Sequence, residues 1–177
     1  PNMSYAAACA DGANALGCTI STSDITYTLT GNITPASGVV GIKFNTDADR
    51  NDVTQTGNIT TAGGAAYGLY ISRSDSNTPN LTGNIDTQGL NSYGLFFVTS
   101  VSNTTNLTGN INTAGQSANG LWLFDSYSNT TNLTGNITTT GGAAFGLWID
   151  TSDSNTTNLT GNINTAGGAA YGLFFFT

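Results

Sequence analysis

The chain has 177 residues, enough for one domain with a sizeable core. Charge is scarce at 7%: Lys43, Arg50 and Arg73 stand against ten aspartates, for a net charge of −7. That balance excludes nucleic acid and anionic membrane surfaces as expected partners, because both select Lys and Arg, and no apolar run approaches the roughly 20 residues that span a bilayer.

No charged-then-apolar leader opens the chain, so Pro1 is expected to follow a cleavage site or the cut end of a fragment. Residues 1–28 lack the pattern that fills the rest and are expected to form an N-terminal cap, with a disordered leader as the alternative. They hold both cysteines, Cys9 and Cys18, in CADGANALGC. Zinc would want more ligands, and the chain has no histidine. Two readings stay open: a disulfide closing a small loop, or two reduced buried thiols. The extracellular look of the rest favours the disulfide, which loop-entropy arguments value at about 2–3 kcal/mol.

From Leu29 to Thr177 the chain is a repeat. Gly-Asn-Ile recurs at Gly31, Gly57, Gly83, Gly109, Gly135 and Gly161, always 26 residues apart. Glycine followed by an aliphatic residue recurs at Gly41, Gly68, Gly94, Gly120, Gly146 and Gly172. A fixed period of this size marks a solenoid. The local period is two. Leu81, Gly83 and Ile85 are expected on one side of a strand with Thr82 and Asn84 on the other; Tyr67, Leu69 and Ile71 are expected on the inner side of another. Helix formers are nearly absent, and glycine and asparagine punctuate every unit, which excludes helical repeats.

Stacking 26-residue coils about 4.8 Å apart gives six rungs and a rod of about 29 Å. Residues 26 apart then fall into columns. The expected core is Leu29, Leu81, Leu107, Leu133 and Leu159, interrupted by Gln55; Ile33, Ile59, Ile85, Ile111, Ile137 and Ile163; Ile42, Leu69, Leu95, Leu121, Leu147 and Leu173; and Phe44, Ile71, Phe97, Leu123, Ile149 and Phe175. The third side of each coil is SNTTN, whose asparagines and threonines can bond their own copies one rung away.

Stretches such as TGNITTAGGAAYGLYI and TGNINTAGQSANGLWL resemble the passenger region of bacterial autotransporter proteins. The resemblance covers Leu29 to Thr177. It implies a right-handed parallel β-helix, outer-membrane export and display on a Gram-negative surface. Those proteins end in a membrane β-barrel, and no such segment stands here. The chain stops mid-coil at Gly-Leu-Phe-Phe-Phe-Thr, so a longer protein or a second chain is expected to continue the stack. The fold class expected is therefore all-β: six coils of 26 residues behind a cap, with Phe174, Phe175 and Phe176 as an open stacking edge.

Several surface features ask for a reading. Lys43, Tyr70, Phe96, Trp122, Trp148 and Phe174 form a column expected to face outward. Its five aromatics are a candidate contact stripe for sugar or protein, with Trp122 and Trp148 as anchors, unless a flanking loop covers them. Asn32, Asn58, Asn80, Asn106, Asn132 and Asn158 each begin a glycosylation sequon. Copies about 5 Å apart leave no room for a glycan on every rung, so asparagine ladders are the preferred account. Thr82, Thr108, Thr134 and Thr160, beside Asn84, Asn110, Asn136 and Asn162, resemble an ice-binding face, although such faces carry threonine at both outward positions. Asp47, Asp49 and Asp52 offer oxygen ligands to calcium in one irregular turn, or form a solvated acidic turn.

Nothing suggests catalysis: histidine and glutamate are missing and the aspartates are scattered among turns. No cofactor is expected. The reading is a secreted, non-enzymatic structural or adhesive rod at a bacterial surface. Its partners would be further coils, other copies of itself, surface glycans or proteins of a neighbouring cell. The alternatives are a filament subunit stacked coil on coil, and an ice-binding protein.

Overall fold

The β-branched, leucine and aromatic residues of this chain come in short runs between glycine and asparagine turns, and each run is too short to bury a face alone. In the computed structural model, which describes residues 7–176, these runs pair with their copies one coil away as parallel strands of two to five residues. Pro1 and its expected cleavage lie outside the described residues.

Three sheets result. The first runs, in spatial order, through β1 (Ala7–Ala8), β3 (Cys18–Ile20), β5 (Ile42–Phe44), β8 (Leu69–Ser72), β11 (Leu95–Val98), β14 (Leu121–Phe124), β17 (Leu147–Asp150) and β20 (Leu173–Phe176). The second takes β2 (Gly12–Ala13), β4 (Thr26–Thr30), β6 (Asp52–Thr56), β9 (Thr78–Thr82), β12 (Thr104–Thr108), β15 (Thr130–Thr134) and β18 (Thr156–Thr160). The third takes β7 (Ile59–Ala62), β10 (Ile85–Gln88), β13 (Ile111–Ala114), β16 (Ile137–Thr139) and β19 (Ile163–Thr165). The chain is a β-solenoid of about six turns with coils of about 26 residues.

The columns expected from the period are the columns observed. Ile85 faces Ile111, Leu107 faces Leu133, and Leu95 and Phe97 face Leu121 and Leu123. Their side chains fill the space between the sheets and are essentially inaccessible to water. Burial of each such side chain is worth about 1.5–3 kcal/mol. Gln55 interrupts the leucine column without reaching water: its Nε2 donates to the Gly31 carbonyl at 2.7 Å. Cys18 and Ile20 continue the inner columns into the N-terminal stretch, with Cys18 on Ile42 and Ile20 on Phe44.

The corners depart from strict alternation. Gly83 does not continue a strand; it turns the chain between β9 and β10 with φ at +133°, a region that disfavours a side chain. A Cβ there would also collide with the Gly57 carbonyl. Thr82 therefore ends the second sheet while Asn84 lies in the corner, so the two do not share a flat face as alternation had suggested. Gly68 opens β8 against the Ile85 side chain and the Gly94 carbonyl, with no room for a Cβ. Tyr67 precedes that corner and falls outside the solenoid, not on the inner side with Leu69 and Ile71.

Candidate contact surfaces

The first sheet carries the aromatic stripe on its outer face, and the stripe is two columns wide. Tyr70, Phe96 and Trp122 stack in turn at 5.2 and 4.8 Å between ring centroids. Trp122 and Trp148 continue the stack at 4.6 Å and 11°. Beside them Tyr67 lies flat on Tyr93 at 5.2 Å and 4°, and Phe145 on Tyr171 at 5.7 Å and 15°. Edge-to-face contacts join the columns, as between Tyr93 and Trp122 at 4.9 Å and 87°. Lys43 caps one end, its Nζ 5.7 Å from the Tyr70 ring centre.

This geometry changes what the stripe can do. A sugar docks on the face of an aromatic ring, and here neighbouring rings occupy the faces. Phe96 is 8% exposed and Tyr93 7%. Of the candidate stripe Tyr70, Phe96, Trp122, Trp148 and Phe174, the first four are thus a self-stacked ladder, while Phe174 meets Trp148 edge to face at 78° and stacks on Phe145. The flanking group that covers it is its own second column. Burial, with Tyr67 nearby, pushes the Tyr93 phenol up to about 12. Burial raises Tyr67 as well. The indole nitrogens of Trp122 and Trp148 are buried without a hydrogen-bond partner.

Asparagines stack at three places around the coil. At the corner entering the second sheet, Asn51, Asn77, Asn103, Asn129 and Asn155 form a ladder that is buried over most of its length. Each of the first four donates its backbone N–H and its Nδ2 to the next Oδ1. At the corner leaving that sheet, the backbone N–H of Asn58, Asn84, Asn110, Asn136 and Asn162 donates to the Oδ1 one coil earlier. On the outer face of the second sheet, Asn106, Asn132 and Asn158 each donate Nδ2 to the previous Oδ1 at 2.8 Å. The sequon asparagines Asn32, Asn58, Asn80, Asn106, Asn132 and Asn158 are ladder members.

The acidic turn does not gather. Among the described residues no group of three or more His, Cys, Asp or Glu side chains is placed to hold a metal ion. The Asp49 carboxylate instead accepts the Asp75 N–H at 2.7 Å, and Asp52 begins β6 on an exposed face. Nearby, Arg50 grips Asp24 with two bonds of 2.7 and 2.8 Å, which hold the Asp24 carboxyl below the usual range. Cys9 and Cys18 form a disulfide with their sulfurs 2.06 Å apart.

The three phenylalanines of the expected stacking edge divide by alternation. Phe174 turns outward onto Phe145 at 5.1 Å, extending the aromatic ladder. Phe175 belongs to the inner column and is 61% exposed, while Phe176 points outward at 58%. Phe175 and Leu173, with Leu147, Ile149, Leu159 and Ile163, line an apolar mouth of about 470 Å³ at this end of the solenoid.

Fold and surfaces together define a parallel β-solenoid repeat protein with an apolar lumen, amide-laddered corners and an external aromatic ladder. No family model matches the chain, and comparison with curated proteins and with solved structures gives no match.

Proposed function

We propose that this chain is part of an extracellular, non-enzymatic β-solenoid rod that holds contact surfaces away from a bacterial outer surface, in the manner of the autotransporter passengers its repeats resemble. The observation that supports this most is the constant register: from β4 to β18 each strand of the second sheet pairs in parallel with its copy one coil on, interrupted only where Pro79 stands opposite Thr105, which makes a stiff rod and not a cleft. The Cys9–Cys18 bond agrees with an oxidising compartment. Three basic residues leave trypsin-like proteases few sites. The test is to display the full chain on a non-adherent bacterium through an unrelated membrane anchor and count attachment and cell–cell aggregation. More of either than the anchor alone produces is expected; equal counts would sink the adhesive reading.

A second reading is a filament or sheath in which copies stack end to end through the same parallel pairing that joins the coils within the chain. Sedimentation and negative-stain images of the full chain over a wide concentration range decide it. End-to-end rods growing with concentration support the filament, and monomers throughout refute it.

A further inference from the structure

The outer face of the second sheet is a regular grid that neither the core nor the aromatic ladder explains. Across β4, β6, β9, β12, β15 and β18 the outward positions form three columns. Two are almost wholly threonine, running to Thr104, Thr130 and Thr156 on one side and Thr108, Thr134 and Thr160 on the other. Between them lie Thr28, Thr54 and the asparagine ladder from Asn80 to Asn158. Asp52 is the charged member of the grid, while Asp47, Asp49, Arg50, Arg73 and Asp75 lie in the loops that lead into this sheet. Among the described residues, none of the threonine hydroxyls on this face makes a side-chain hydrogen bond within the chain, and every one of these threonines is exposed or half-exposed.

Parallel pairing sets the grid at about 4.8 Å along the rod and about 6.7 Å along each strand. Threonine is stiff at χ1, and the bonds between neighbouring amides fix the asparagines. Water held by such a grid therefore takes fixed positions with little loss of side-chain entropy. Isolated charges would wrap water in radial shells that suit no lattice; an uncharged hydroxyl–methyl–amide plane does not. A second copy fits poorly: a face of about 24 by 13 Å offers roughly 300 Å² per partner, where stable interfaces need about 800 Å². A glycan fits poorly too, since the face has no aromatic ring to stack on.

We propose that this face binds ice, with the threonine columns and the asparagine ladder anchoring an ordered first layer of water. This keeps the threonine column of Thr82 noted in the sequence and replaces the corner column of Asn84 with the other outward positions of the same sheet. It does not rest on the adhesive reading, which survives its failure.

The test is partition of the full chain into slowly growing ice, measured against an inert protein of similar size. Three variants are confirmed as folded by circular dichroism: Thr108→Lys with Thr134→Lys, Thr108→Val with Thr134→Val, and Thr138→Lys on the third sheet. The native chain is expected to enter ice several-fold more than the inert protein. The lysine pair should fall to the inert level, the valine pair should lie between, and Thr138→Lys should match the native chain. Partition of the native chain at the inert level overturns the proposal. So does equal loss in Thr138→Lys, or retention by insoluble glycans at room temperature that the lysine pair abolishes while ice partition stays at the inert level.

Discussion

Two buried threonines on different sheets of adjacent coils predict opposite responses to the same change. Thr131 faces the lumen from β15 with 1% exposure, and its hydroxyl has no partner. Its neighbours in the column are Thr105 and Thr157, whose hydroxyls are likewise buried without a partner, so nothing in the column offers it a bond. Thr113 faces the lumen from β13 at 2% exposure, but its hydroxyl donates to the Ala118 carbonyl at 2.6 Å. Valine has nearly the shape of threonine, so each substitution changes little but the hydroxyl. An unpaired buried hydroxyl costs about 1–3 kcal/mol, so Thr131→Val is expected to stabilise by about 1–2 kcal/mol. For a chain of this length that raises Tm by roughly 2–8 °C. Thr113→Val orphans a buried carbonyl and is expected to destabilise by about 1–3 kcal/mol. Val53→Thr, in the same column as Thr131, should repeat the loss. Thermal and urea unfolding of the single variants measure all three. If Thr131→Val and Thr113→Val shift stability in the same direction, the pairing of these hydroxyls is not what sets their energetics, and the reasoning fails.

Asn103 sits mid-ladder, donating to Asn129 and to the Ser74 carbonyl while accepting twice from Asn77. Asn103→Ala is therefore expected to cost about 3 kcal/mol or more, against less than about 0.5 kcal/mol for the exposed Asn158→Ala, both read from urea midpoints. Tyr93 is expected to ionise near 12 in the folded chain. Its folded value is raised, so its contribution to stability is complete below the ordinary tyrosine range near pH 10 and is lost as pH climbs through 12. Absorbance titration of the native chain should show this late phenolate, and Tyr93→Phe should remove it. The Trp122–Trp148 stack should give an exciton couplet in circular dichroism that Trp148→Phe abolishes without loss of strand signal. Reduction of Cys9–Cys18 should lower stability by about 2–3 kcal/mol, and an unchanged Tm after verified reduction would show that the N-terminal stretch is held by pairing alone.

The inner columns were legible because one number, the 26-residue period, sets every stacked pair, and because strand alternation holds wherever the chain is extended. Ile85 on Ile111 follows from nothing more. Alternation fails at corners, where a glycine ends it. Tyr67 was misplaced for that reason: the residue before Gly68 belongs to the turn, and β8 begins only at Leu69. Strict alternation places Tyr67 inside, which hides the second aromatic column and leaves the first as an open platform. One signal was available. Tyr67, Tyr93, Phe145 and Tyr171 recur three residues before Tyr70, Phe96, Trp148 and Phe174, with Asn119 as the exception. A strictly inner column would not ordinarily place tyrosines, whose hydroxyls need partners, beside leucine and isoleucine.

The three sheets share one backbone geometry and carry different tasks. The lumen-facing side of all three holds the apolar columns. Outward, the first sheet forms the aromatic double ladder, and the entry corner of the second holds the buried amide ladder. Both ladders run along the rod axis, but only the aromatic one changes from coil to coil, so it is the one that resists slippage, which the near-identical repeats would otherwise permit. A register slip by one coil would keep most inner pairs but would set Lys43 against Phe96 and break the change of ring size from Phe96 to Trp122. The least repetitive column therefore fixes the register of the most repetitive ones. The outer face of the second sheet is braced by its asparagine ladder alone, so its threonines are free to be chosen for what they meet in solvent.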